Sequence, residues 1–410
     1  MKILWISHLV PYPPKGGVLQ RVFYLLRELS HYHEVDLLAF NQSELLCSFY
    51  PSLEKGLSEA SEVLKDVVNQ HAFFEIPNEI GKFCKYKLAF KSLFFEPYNI
   101  NWLKSDFFSV EFTRYLNSNA YDLVHFDTIS LVPYFHVIRN NTLTSLGHHN
   151  IESHMLLRRA SKEKNLFKKF YFWQEGIRLA GYEQFYCPKF SVNITCSDLD
   201  STRLNNITRV SNAVSIPNGV DTNYFNPVQI KQKNNQLIFV GSMNWYPNVQ
   251  AVIYFAENVW LPLKKIHKDL HFHVVGINPP KCVQDLANSL PDFHVHGFVD
   301  DVRQIIEEST VYVCPILDGG GTKLKILDAM AMEKAIVAHP IACEGINVKN
   351  GHNILLAETP SQFVDQIDYL LRYHDKRIDI GRNARDLMKS DYDYSIIGKK
   401  LSDTFMKLVN

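Results

Sequence analysis

"DGGGTKLKILDAMAMEKAIVAHP", residues 318–340, follows the apolar run "VYVCPI" (311–316) and contains a second one, "AIVAH" (335–339). Short β-branched runs on either side of a helical pattern read as strand, turn, helix and strand. Two strands joined through a helix are expected to lie parallel in one sheet. Three glycines fill the turn, followed by Thr322, Lys323 and Lys325, with Asp328 inside the helix. Glycines let backbone N–H groups approach a ligand closely, and a helix N-terminus attracts anions. Thr322 is placed to cap the helix or to bond a ligand. The lysines add positive charge that suits a diphosphate, and a carboxylate at Asp328 can accept the paired hydroxyls of a ribose. The stretch reads as a seat for a nucleotide-linked ligand, with a solvated surface turn as the alternative.

The surrounding chain bounds that reading. Its 410 residues are too many for one ordinary core, so two domains are expected. Hydrophobic residues make up 46% and charged ones 21%, the balance of a soluble globular protein. Acids and bases stand at 43 each, so no global charge recruits nucleic acid or an anionic surface. Cys47, Cys84, Cys187, Cys196, Cys282, Cys314 and Cys343 are scattered without zinc-site spacing, which fits reduced thiols. "MKILWISHLV" (1–10) is too short for a signal peptide or a membrane span and reads as a first buried strand. A cytoplasmic protein is expected.

The strand–helix alternation occurs twice. "KILWIS" (2–7), "EVDLLAF" (34–40), "YDLVHFD" (121–127), "TLTSLGHHN" (142–150) and "FSVNITCS" (190–197) read as strands or strand ends, with the helical pattern of 18–30 between the first two. After the turn-rich "SIPNGVDTNYFNP" (215–227) the pattern restarts. "LIFVGSM" (237–243), "HFHVVG" (271–276), "FHVHGFV" (293–299) and the two strands already quoted follow. The fold class is therefore α/β, with two doubly wound, Rossmann-like parallel-sheet domains, 1–215 and 216–390, facing an interdomain cleft.

Six stretches then occur in order: "PYPPKGG" (11–17), "HHNIES" (148–153), "IPNGVD" (216–221), "LIFVGSM…PN" (237–248), "HGFVDDV" (296–302) and "GGGTKLKILDAMAMEKAIV" (319–337). With these the chain resembles the retaining glycosyltransferases of family 4, group 1 enzymes of GT-B architecture, along nearly its whole length. The resemblance implies acceptor binding by the first domain and donor binding by the second, with the final helix, 391–410, returning to the first. It also implies a nucleoside-diphosphate-sugar as donor substrate.

Residue by residue, the family's acidic motif has two glutamates separated by seven residues. The second falls on Asp328, as ribose ligand; the first falls on Gly320, which has no side chain. Backbone N–H groups of Gly321, Thr322, Lys323 and Leu324 match the turn that meets sugar and phosphate. Gly241 and Ser242 open "GSMNWYPN" (241–248), where many relatives carry a basic pair and this chain has none. Lys323 or Lys325 is expected to supply the missing charge. Gly16 and Gly17 match a glycine loop facing the diphosphate, with Arg21 one turn on, either reaching the site or on the surface. His149 matches the family's histidine near the donor sugar, its neighbour His148 being the alternative, and Glu152 could orient or replace it. Phe298 and Val299 match the border of the base pocket, or serve as core.

The implied reaction moves a sugar onto an acceptor hydroxyl with its anomeric configuration retained. Helix N–H groups and lysines would stabilise charge on the departing diphosphate. No metal or other cofactor is expected, since "DLD" (198–200) lies at a helix start. In "GKFCKYKLAFKSLFFEP" (81–97) Phe83, Tyr86, Phe90, Leu93 and Phe94 share a helical face flanked by Lys82, Lys85, Lys87 and Lys91, as an interfacial helix would. "LFKKFYFWQ" (166–174) adds a second basic–aromatic patch. Sheet packing is the alternative for both. The expected acceptor is a glycan or lipid-linked glycan at the cytoplasmic face of a bacterial inner membrane, in surface polysaccharide or glycolipid synthesis. A non-catalytic nucleotide-sugar binder and a nucleotide-sugar 2-epimerase are the alternatives.

Overall fold

Lys2–Ser7 forms β1 as five successive buried residues, the signature of a strand covered on both faces. The structure, a computed structural model, describes residues 1–79, 83–139, 142–228, 235–319 and 321–409, apart from the side chain of Lys85. Lys82 and Gly320 therefore lie outside the described residues, as does the side chain of Lys85. The chain divides into two units, Met1–Pro217 with Ile397–Asn410, and Asn218–Ile396.

In the first unit β1 pairs in parallel with β2 (Glu34–Asn41) and β4 (Leu123–Phe126). β3 (Gln70–Glu75), β5 (Leu143–His148), β6 (Val192–Thr195) and β7 (Ala213–Ser215) complete a seven-stranded sheet of order β3-β2-β1-β4-β5-β6-β7. On one face Phe40, Phe108, Phe112 and Phe126 build a buried aromatic core. Phe40 and Phe108 lie 4.5 Å apart between ring centres.

The second unit repeats the plan. β8 (Gln236–Val240), β9 (His271–Val275), β10 (Phe293–His296), β11 (Val311–Cys314), β12 (Ile336–Ala338) and β13 (Leu355–Leu356) form a parallel sheet of order β10-β9-β8-β11-β12-β13. Phe255, Trp260, Phe272 and Phe293 fill its core. The expected doubly wound α/β class is thus present in both units. Three strands escaped the sequence reading: β3, β7 and β13. All are sheet edges, and β7 and β13 are only 3 and 2 residues long. An edge strand buries less of itself, so its apolar pattern is weak.

Among the described residues no helix is long and apolar enough to cross a membrane. "DLD" lies in the first turn of the helix Asp198–Thr208, where the cap is Ser197, whose side chain accepts from the Asp200 N–H.

Candidate functional site

The glycine turn leaves β11 and enters the helix Leu324–Ala331 at the point where the order of the second sheet reverses, between β8 and β11. Open parallel sheets bind ligands at such a switch point. The turn packs on the loop that follows β8. Gly319 adopts φ +110°, and a Cβ there would lie 2.9 Å from the Trp245 ring. Tyr246 donates from its hydroxyl to Asp318 at 2.8 Å.

Two corrections concern this turn. Thr322 does not cap the helix: Lys323 holds the cap position without a side-chain bond, and the buried Thr322 hydroxyl has no hydrogen-bond partner among the described residues. Lys323 is buried, and its ammonium donates to the carbonyls of Gly319 and Gly321 at 2.9 and 2.6 Å. A charge spent on the turn's own backbone shapes the loop, so Lys323 is less available to a ligand than the sequence suggests.

Lys325 stands differently. Its ammonium donates to Asn248 at 2.6 Å, and Asn248 donates to the carbonyl of Ser242 at 2.6 Å. A Cβ on Gly241 would come within 2.3 Å of the Lys325 nitrogen, so glycine is what lets this lysine reach the end of β8. A cation thus stands beside the loop that lacks a basic residue of its own. Burial lowers its pKa to about 8, helped by Lys323 and opposed by Asp328. Asp328 lies three residues further along the same helix and is half-buried. Asn248 was missed by sequence reasoning; only its place at the end of "GSMNWYPN" could have pointed to it. Leu324 is core. Phe298 is exposed after β10, while Val299 packs on the core.

The first unit has its own polar centre at the corresponding switch point, between β1 and β4. Asp127, just past β4, is 2% exposed. One of its oxygens lies 3.1 Å from His149 Nε2, and the other lies 2.9 Å from His8 Nδ1 and accepts from the Ser7 hydroxyl at 3.2 Å. Burial works against its charge, but the two histidines outweigh that and hold its carboxyl well below the usual range. Burial in turn lowers the His149 pKa, against the pull of Asp127. A carboxylate that fixes one ring nitrogen leaves the other to accept a proton or a hydrogen bond.

His148 faces the other way. It is buried against Asn193 Oδ1 at 3.0 Å, and burial pushes its pKa down to about 4. Of the pair, His149 is therefore the one beside polar groups at the strand ends. Sequence reasoning missed Asp127 and His8, although both directly follow buried strand runs. Arg21 is buried and donates to the carbonyls of Ile216 and Pro217, both at 2.9 Å. Its burial overturns the surface alternative, and its charge acts on His149. Glu152 has its pKa raised to about 7 by burial and by Glu183. Gly16 and Gly17 open the helix Gly17–Ser30 with φ of +92° and +30°, and a Cβ on either would meet nothing within 4 Å.

On the exposed side of the first unit, Phe83, Tyr86, Phe90 and Phe94 are 70%, 76%, 66% and 71% exposed, so they do not pack on the sheet. Lys87 and Lys91 are exposed beside them. Leu166, Phe167 and Phe170 of the second basic–aromatic patch are exposed as well.

With this geometry in view, comparison with known proteins gives a family-model match over part of the chain. Residues 234–373 match the model for glycosyl transferases group 1. A 44.6 kDa protein of the cps region of Klebsiella pneumoniae is 22% identical over 271 residues, covering 63% of this chain and 68% of that one. An uncharacterised glycosyltransferase of Methanocaldococcus jannaschii is 29% identical over 191 residues, 45% of this chain, and the alignment spans just 48% of that relative's length. Among solved structures, HepE of Anabaena in complex with UDP and glucose matches with a TM-score of 0.64 at 14% identity, covering 99% of this chain and 100% of that one. At such identity the likeness speaks for the fold alone.

Proposed function

We propose that the chain, whose residues 234–373 match the model for glycosyl transferases group 1 and whose two units have the parallel-sheet plan of the GT-B fold, is a retaining enzyme of family 4. It transfers a sugar from a nucleoside-diphosphate-sugar to a hydroxyl of a glycan or lipid-linked acceptor. The observation that carries this reading is Lys325, held by Asn248 at the mouth of the β8 loop, with Asp328 three residues along the same helix. A cation and a carboxylate so spaced suit a diphosphate and the ribose attached to it. UDP is the first nucleotide to test, because HepE is known in complex with it.

The diphosphate leaves as negative charge grows on it. Lys325 and the N–H groups of Gly321, Thr322, Lys323 and Leu324 offset that charge, and no metal is required for this. His149, oriented by Asp127, serves the sugar hydroxyls or the proton of the acceptor. The second unit holds the donor and the first supplies the acceptor side. A relative from the cps region favours polysaccharide synthesis as the setting.

The exposed aromatic helix with Lys87 and Lys91 suits peripheral binding to an anionic membrane at its cytoplasmic face. Flotation with vesicles containing phosphatidylglycerol should carry the protein upward. No flotation in low salt would remove the membrane from the proposal.

The test of the donor site is calorimetric titration of UDP, GDP and ADP against the wild type and Asp328→Ala. One nucleotide should bind selectively, and the substitution should weaken it roughly 10- to 100-fold, the worth of a hydrogen bond to a charged group. A folded protein that binds none of the three would sink the donor-site assignment.

A further inference from the structure

Beyond the switch points, the edge of the second sheet carries a ladder of imidazoles. β9 and β10 pair in parallel, and Phe272, Val274 and Phe293 turn into the core. His271 and His273 on β9, and His294 and His296 on β10, are half-buried. The rings join across the strands: His271 Nδ1 lies 3.1 Å from His294 Nε2, and His273 Nδ1 lies 2.9 Å from His296 Nε2. Asp292, just before β10, brings Oδ1 to 3.6 Å from His271 Nδ1.

Two nitrogens and one oxygen therefore converge, all within 4.8 Å of one another. Ligands of a tetrahedral Zn²⁺, each about 2.0–2.1 Å from the ion, stand roughly 3.3–3.4 Å apart. The observed separations of 3.1 and 3.6 Å bracket that edge. We propose that His271, Asp292 and His294 form a binding site for a divalent transition-metal ion of the Zn²⁺ or Ni²⁺ kind, with His273 and His296 as the adjoining rung.

Two features support it. The ligands sit on or beside paired strands, so the sheet register fixes their spacing before any ion arrives. Asp292 is oriented from behind, because Lys264 donates to Oδ2 at 2.7 Å while also donating to the carbonyl of Leu270 at 3.0 Å. That leaves Oδ1 toward the histidines, an outer-shell arrangement common around metal ligands. On binding, the shared N–H···N bond is exchanged for two metal–nitrogen bonds. The ring that donated moves its proton to its other nitrogen, so no net proton is lost.

The same ligand types meet at His8, Asp127 and His149, and the experiment has to separate the two groups. Zn²⁺ alone is titrated into the full-length protein in competition with a chromophoric chelator, and Co²⁺ absorption reports coordination geometry. The expected result is one ion per chain at micromolar concentration with a tetrahedral Co²⁺ spectrum. The double change His271→Ala/His294→Ala should weaken binding at least about tenfold, Asp292→Asn should weaken it less, and His149→Ala should leave it unchanged. No uptake by a folded wild type overturns the site. So does binding that survives the double change and disappears with His149→Ala. Should the double variant fail to fold, His294→Gln, which keeps a hydrogen-bonding side chain, gives the same decision.

Discussion

In the first unit the ends of β1 and β4 carry His8 and Asp127; in the second the corresponding ends of β8 and β11 carry Gly241 and the glycine turn. The two sheets share the strand order on either side of this point, yet the charge they gather there is opposite. Around Asp127 an anion is buried between two histidines, and its ionised form is favoured. At the end of β8 a cation is buried beside an amide, and its ionised form is penalised. One parallel-sheet plan can therefore serve two chemistries. The topology supplies a place where loops diverge, and the few side chains on those loops decide what that place attracts.

This comparison breaks most visibly at His149. If the first unit supplies a group that acts in the reaction and the second supplies nucleotide affinity, His149→Ala should cut kcat by about 100-fold or more while UDP affinity moves little. Equal losses in turnover and in UDP affinity would show that the division of labour is false.

Lys325→Ala comes next. It should weaken UDP binding roughly 10-fold, the lower end of a charge-assisted hydrogen bond. Because the protonated lysine is the form that meets phosphate, wild-type affinity should fall as pH rises through about 8. The variant should lack that slope. A slope preserved in Lys325→Ala would assign the titration elsewhere.

A further effect concerns stability rather than binding. Glu152 and Glu183 each have a pKa raised to about 7 by burial. A carboxyl raised in the fold contributes stability below its unfolded pKa, near 4.5, and loses it as pH climbs through about 7. Glu152→Gln keeps the shape without the charge. It should stabilise the protein by about 2 kcal/mol at pH 8 and by almost nothing at pH 4, read from urea midpoints. His148 has the opposite sign: its pKa is lowered to about 4, so stability is lost as pH falls below its unfolded value. A gap between the wild-type and Glu152→Gln midpoints that stays the same from pH 4 to pH 8 would contradict the Glu152 assignment.

Much of this was open to reading in one dimension. Buried parallel strands announce themselves as apolar runs such as "KILWIS" and "VYVCPI". The glycine turn follows from residue type, since few other residues tolerate such backbone near another loop. These are local properties, set by a residue and its near neighbours. The ordered motifs that carried the family resemblance are local in the same sense.

What only the tertiary structure decided is pairing across the chain. His8 and Asp127 are 119 positions apart, and Lys325 and Asn248 are 77 apart. Residue types alone could not show that Lys323 turns back on its own loop while Lys325 reaches across to β8. Nor could they show that His148 enters the core while His149 meets a carboxylate, because neighbours at a strand end point to opposite sides. Edge strands such as β3 and β13 were recognisable only from the partner beside them. Sequence determined which chemistry each loop could hold; the packing of distant strands determined which side chain is placed to use it.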